Sequence, residues 1–192
     1  MKIYVYIFLP AWLIALNPTS HAQTKLPRTS LGSLRGVLHE LARTPESQRL
    51  SLRHLKSVRE SINRAYCEIA NSPNDSSAYN LIWHVLDRIA MESGRDSAAF
   101  DCLLAVEHEM HNNVEFSESL PHVFQQGFIK SPAAFLLRVS RLGATNQELV
   151  ISQLTFYDDE HFHRGLKELV HSTTNPNLKQ LGRRILDITE HQ

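Results

Sequence analysis

The residues with the most obvious chemical potential stand together at His108-Glu109-Met110-His111. In the H-E-x-x-H helix of zinc hydrolases, histidines at i and i+4 aim their rings at one ion, and the glutamate between them acts on the bound water. Here the histidines stand at i and i+3. One residue fewer rotates the second ring by about 100° around the helix axis. The pair could still share an ion, with Glu107 or His122 as a third ligand, but Glu109 would leave the general-base position. The apolar stripe of this segment is Ala99, Leu103, Val106 and Met110. His108 lies off that stripe and His111 at its margin. The pair is therefore expected at a wet helix end, where histidine also suits the helix dipole.

A second group lies in YDDEHFHRGLKELVH, where Glu160/His163 and Glu168/His171 each read E-x-x-H. Di-iron bundles draw two such motifs from two different helices and add glutamates from others. Both copies here fall on one helix, about 12 Å apart at 1.5 Å per residue, too far for one cluster. Asp158, Asp159 and Glu160 are expected as first-turn acids. By ligand type, His161 and His163 join His108 and His111 as metal-ligand candidates. The chain has no G-x-S-x-G elbow, no phosphate-cradling glycine loop and no dinucleotide fingerprint, and only seven glycines with which to build them. No catalytic residue and no cofactor are expected. Two cysteines, Cys67 and Cys102, fit either one disulfide or two buried thiols. Without a C-x-x-C pair, redox chemistry is disfavoured.

The elements that must position these residues read as helices almost throughout, with no long apolar/polar alternation of the strand kind. The spacing and punctuation predict helices over 31–42, from Thr44-Pro45-Glu46 to about Asn71, and from Ser76 to Ser93 with a stop at Gly94. Asp96 or Ser97 caps a fourth, ending near Asn112-Asn113. A fifth piece lies between Ser117 and Ile129, broken or started by Pro121. Ser131-Pro132 opens a sixth, closing at Leu142-Gly143, and Thr145 caps a seventh to about Phe156. Asp158 or Asp159 caps an eighth to about Ser172, and Asn175-Pro176 starts the last. Pro132 and Pro176 stand 44 positions apart, each after a capping residue. A period of roughly 40–47 residues is that of HEAT-type helix pairs. The expected fold is all-α: stacked antiparallel helix pairs in a HEAT-like α-solenoid, or an irregular helical bundle.

The first 22 residues read as a cleavable signal peptide: Lys2, an apolar run from Ile3 to Leu16, then Ser20-His21-Ala22 with the cut after Ala22. The run is short of the roughly 20 apolar residues of a spanning helix. Residues 23–192 are then a single helical domain, exported to the periplasm or secreted, with no stable membrane insertion after cleavage. Asn74-Asp75-Ser76 is a glycosylation acceptor by rule.

Charge is balanced overall but segregated. Residues 23–64 hold nine basic and three acidic residues, and residues 65–125 hold two basic and ten acidic. Within the second helix Arg49, Arg53, Lys56 and Arg64 share one face. Such a face can meet an acidic surface, although the simpler expectation is that it lies against the acidic third and fourth helices. Nucleic acid is not expected, since neither a strongly basic balance nor interleaved aromatics are present. The favoured function is a non-enzymatic exported module that binds a protein or peptide, with Trp83, His84, Phe124, Phe128 and Phe135 as candidate contacts. The alternative is a small metal-binding protein or metal-dependent enzyme built on the histidines.

Overall fold

The computed structural model describes residues 30–45, 48–70 and 76–191. The expected leader over residues 1–22, its cleavage site, and Asn74 and Asp75 of the glycosylation acceptor lie outside the described residues. The described residues form nine α-helices and no strand, so the protein is all-α. The helices are α1 (Ser30–Arg43), α2 (Leu52–Ala70), α3 (Ser76–Ser93), α4 (Ser97–Met110), α5 (Val114–Lys130), α6 (Pro132–Val139), α7 (Ala144–Thr155), α8 (Glu160–Ser172) and α9 (Pro176–Thr189).

Side-chain caps set many of the starts. Asp96, Asn113, Asp159 and Asn175 each accept a hydrogen bond from a first-turn backbone N–H, at Ala98, Phe116, Phe162 and Asn177 respectively. Pro132 and Pro176 occupy first helical positions, where a missing N–H costs nothing.

Among the boundaries that differ from expectation, three have a clear physical reason. The Thr44-Pro45 signal does not open α2. The Thr44 hydroxyl donates back to the Glu40 carbonyl at 2.8 Å, so Thr44 closes α1. The Pro45 and Gln48 carbonyls that follow are taken by Arg88 from α3, at 2.8 and 2.9 Å. Ser51 caps α2 instead, its hydroxyl accepting from the His54 N–H at 3.2 Å. Pro121 does not break α5, which runs through it. An internal proline costs about 3 kcal/mol. The same helix buries Phe116, Leu120, Val123, Phe124 and Phe128, each worth about 1.5–3 kcal/mol, which outweighs that cost. Thr145 lies in the first turn of α7, and the capping position falls to Gly143, with no side-chain bond.

One hydrophobic core runs through the described residues. A line of edge-to-face phenylalanines crosses it. Phe100 of α4 meets Phe135 of α6 at 5.3 Å between ring centres, Phe135 meets Phe128 of α5 at 6.4 Å, and Phe128 meets Phe162 of α8 at 4.9 Å. Contacts link the odd-numbered helices in series, α1 to α3, α3 to α5, α5 to α7 and α7 to α9. They also join α2 to α4 and α6 to α8. At the α3–α5 crossing Gly127 is required: a Cβ there would stand 2.8 Å from Ser93 Oγ and 3.0 Å from the Ala90 carbonyl oxygen. Among the described residues no helix is long and apolar enough to cross a membrane.

Candidate functional site

The end of α4 carries the H-E-x-H segment. His108 is exposed, with Nε2 3.1 Å from Asn146 Oδ1 in the first turn of α7. His111 caps the helix, and its Nδ1 lies 2.9 Å from the His108 carbonyl oxygen. Glu109 accepts from Asn63 Nδ2 of α2 at 2.8 Å. Glu107, the proposed third ligand, points inward and is 3 % exposed. Its Oε1 accepts from Gln153 Nε2 at 3.1 Å, while Glu107 Oε2 and Gln153 Oε1 are buried with no partner. Burial raises the Glu107 carboxyl above its ordinary range, against smaller opposing effects from His111 and His108. His122, the other third-ligand candidate, is exposed on α5, where it and His84 flank Asp87. Burial raises the Asp87 carboxyl, with both histidines acting in the opposite sense.

On α8, His161 is exposed, and His163 Nδ1 pairs with Asp158 Oδ1 at 3.2 Å. The Nε2 of His163 is buried without a partner. The structure does not gather His108, His111, His161 and His163 into one site. Among the described residues, no three or more His, Cys, Asp or Glu side chains are grouped to hold a metal ion. The two cysteines are not bridged. Cys67 lies on the exposed side of α2, with Sγ 3.5 Å from Asn63 Oδ1. Cys102 is buried and donates to the Leu55 carbonyl at 3.4 Å. Burial pushes its thiol up to about 12, so it stays a protonated, inert thiol near neutral pH.

Of the expected contact residues, Phe124, Phe128 and Phe135 are fully buried core and present nothing to a partner. Trp83 is half-buried, its ring 4.7 Å from Phe116 and 5.9 Å from Tyr79. Tyr66 joins this cluster edge-on to Phe116 and donates its hydroxyl to Glu115. Burial first, and then Glu115, raise the Tyr66 phenol. His84 is exposed on the same helix.

The basic face of α2 behaves differently from the simpler expectation. The helix does pack on α3 and α4, yet Arg53, Lys56 and Arg64 face solvent along it, and Arg49, expected on the same helix, stands exposed in the linker before it because α2 starts only at Leu52. Among the described residues, the only ion pair of this group is Lys56 Nζ to Glu60 Oε1 at 3.8 Å, within α2 itself. The helix turns its apolar side (Leu55, Val58, Ile62, Ala65, Ile69) to its neighbours, which leaves the cations largely on the opposite, solvent side. Sequence reasoning missed two members of this surface. Arg59 extends the stripe, and Leu52 sits at its start, 70 % exposed. Both belong to a groove of about 240 Å³ between α2 and α4, whose lining also includes Leu55, Lys56 and Asp101. Leu52 was legible as a leucine one turn before Lys56, off the apolar stripe.

A second missed feature is the Phe156–Tyr157 pair in the α7–α8 turn, 55 % and 41 % exposed. Buried Gln125 fixes it from beneath, donating through Nε2 to the Leu154 and Tyr157 carbonyls, both at 2.9 Å. Two further clefts among the described residues are shallow. One of about 260 Å³ lies among Ser140, Gln147, Asn177 and Arg184, and one of about 300 Å³ lies between α8 and α9. Comparison with known proteins finds no matching family model, no matching curated protein and no matching solved structure.

Proposed function

We propose that this chain is an exported, non-enzymatic helical module that binds a protein or peptide. The solvent-facing basic stripe of α2 is its docking surface, and the partner presents an acidic one. The observation that carries this reading is the combination of Arg53, Lys56, Arg59 and Arg64 on the open side of α2, and Arg49 just before it, with exposed Leu52 and the groove beside it. A charged rim around an apolar anchor is the usual anatomy of a protein interface. Charges left to solvent also steer encounter with an oppositely charged partner. The series of contacts among the odd-numbered helices, and the packing of the proline-opened helices α6 and α9 on each other, support a HEAT-like stack. The leader over residues 1–22 supports export to the periplasm or beyond.

The test is retention of proteins from the native exported fraction by the immobilised mature chain. A partner is expected to be held by the wild type, released by salt, and absent with Arg53→Glu/Lys56→Glu/Arg59→Glu. Equal retention by the wild type and the charge-reversed variant would sink the reading.

A further inference from the structure

The cleft between α8 and α9 brings four basic side chains to one place. Lys167 and His171 stand one turn apart on α8, and Lys179 and Arg183 stand one turn apart on α9. Val170 and Leu186 complete the lining, which contains no carboxylate, and the space is about 300 Å³. Like charges at i and i+4 oppose each other within a helix, as Lys179 and Arg183 do here, and Lys167 and His171 stand at the same spacing on the facing helix. Their placement is fixed by close packing beneath: a Cβ on Gly182 of α9 would stand 2.5 Å from Val170 Cγ2 of α8. A glycine thus lets the two helices touch and holds the walls at a set separation.

Local carboxylates neutralise the group only in part. Lys167 Nζ pairs with Glu190 Oε1 at 3.3 Å. Lys179 and Arg183 form no ion pair among the described residues, although Asp187 follows Arg183 by one turn at a spacing that permits one. Arg184, the next residue, is committed to Glu148. Residues 126–192 hold eight basic against seven acidic residues, so this concentration of cations is local rather than a property of the whole segment.

The geometry points to an anion site: the α8–α9 cleft binds a small polyanion carrying at least two negatively charged groups of the phosphate type, held between Lys179 and Arg183 on one wall and Lys167 and His171 on the other. Arginine supplies a fork of donors to phosphate oxygens, and lysine supplies a mobile point charge. Val170 and Leu186 give the ligand's uncharged part an apolar contact. This site is separate from the α2 surface and does not depend on it.

Titration of the full chain with inorganic pyrophosphate at low ionic strength, followed by calorimetry, tests the site. One saturable site per chain is expected, with inorganic phosphate binding about tenfold more weakly because it offers fewer oxygens to the two walls. Lys179→Gln/Arg183→Gln should weaken pyrophosphate about tenfold or more. The same variant should not lower the melting temperature of the unliganded protein, since it relieves repulsion, and it should lose the rise in melting temperature that pyrophosphate gives the wild type. Arg53→Glu/Lys56→Glu on α2 should leave pyrophosphate binding unchanged. Absence of saturable binding overturns the proposal. So does binding that the α2 variant abolishes, which would make it a property of any basic surface. A melting temperature that drops in the unliganded α9 variant overturns it too, by giving those cations a structural role. A last arm uses vesicles of phosphatidylglycerol in phosphatidylcholine. Binding to vesicles without binding to pyrophosphate would replace the small ligand by a lipid surface and likewise overturn it.

Discussion

Glu107 brings a carboxyl group into the interior with one partner for its two oxygens. Gln153 Nε2 donates to Oε1, while Oε2 and the Gln153 carbonyl oxygen are both buried acceptors facing no donor. Burial raises the carboxyl, so the fold favours its neutral form; His111 and His108 on its own helix oppose this, and Gln153 faces it from α7. The sign follows. A carboxyl whose folded value lies above its unfolded value contributes stability that is complete below the unfolded value and is lost as pH rises through the folded one. Glu107→Gln removes the charge and supplies a donor for the Gln153 oxygen. At about pH 8 the variant should melt higher than the wild type, by roughly 2–4 °C for each kcal/mol gained, with about 1 kcal/mol expected from the restored hydrogen bond. At about pH 4, where the wild-type carboxyl is already neutral, the gap should narrow. A gap that widens on acidification would contradict this account. Its partner was not visible in the sequence, because Gln153 lies on a distant helix. The inward direction of Glu107 was legible, since four residues place it about 40° around the helix from Leu103, beside the apolar stripe. The exposure of His108 and His111 was legible, because it follows from their angular distance to Ala99, Leu103, Val106 and Met110 on their own helix.

At the scale of the helices, the punctuation that was readable was local. The α3 stop at Gly94, the Asp96 cap and the proline-led starts of α6 and α9 each depend on residues within a turn of one another. The misread boundaries depended on distant partners: the α1–α2 linker is shaped by Arg88, and α5 passes through Pro121 because of the burial around it. Two glycines make the same contrast measurable. Gly36 is exposed, with nothing within 4 Å of a would-be Cβ, so Gly36→Ala should stabilise by about 0.5–1 kcal/mol through helix propensity. Gly127 gains the same propensity but would set its Cβ 3.0 Å from both the Ala90 carbonyl oxygen and Phe135 Cε2. Neither a helix backbone nor a buried ring yields readily, so Gly127→Ala should cost about 1–3 kcal/mol net. Denaturant midpoints of the two variants should therefore move in opposite directions. A shift to higher denaturant for Gly127→Ala would mean that α3 and α5 do not cross where described.

For the whole molecule, Arg88 is the residue whose removal should be felt furthest. It is 6 % exposed, donates through Nη1 to Glu92 Oε1 at 2.8 Å, and holds the Pro45 and Gln48 carbonyls through Nη2. Arg88→Met leaves Glu92 buried without its counter-charge and should cost about 3–5 kcal/mol. Adding Glu92→Gln to that variant should recover part of the loss, and a double-mutant cycle on denaturation free energies should give a coupling of about 0.5–3 kcal/mol. Additive losses would show that the two side chains act independently. The all-α class was readable from periodicity over the whole chain, while the order in which helices touch was not. The shallow α8–α9 cleft and the basic stripe drew on residues that were plain as charges but could be placed only once their helices' inner faces were known.

The Arg88 latch also bears on the order of events during synthesis. The linker that sets the angle between α1 and α2 is held by a side chain 43 residues beyond Pro45. While the ribosome is still making that stretch, the linker carbonyls of Pro45 and Gln48 have no Arg88 to bind, and only direct packing relates the first two helices. The joint between them therefore takes its final form only once α3 is made.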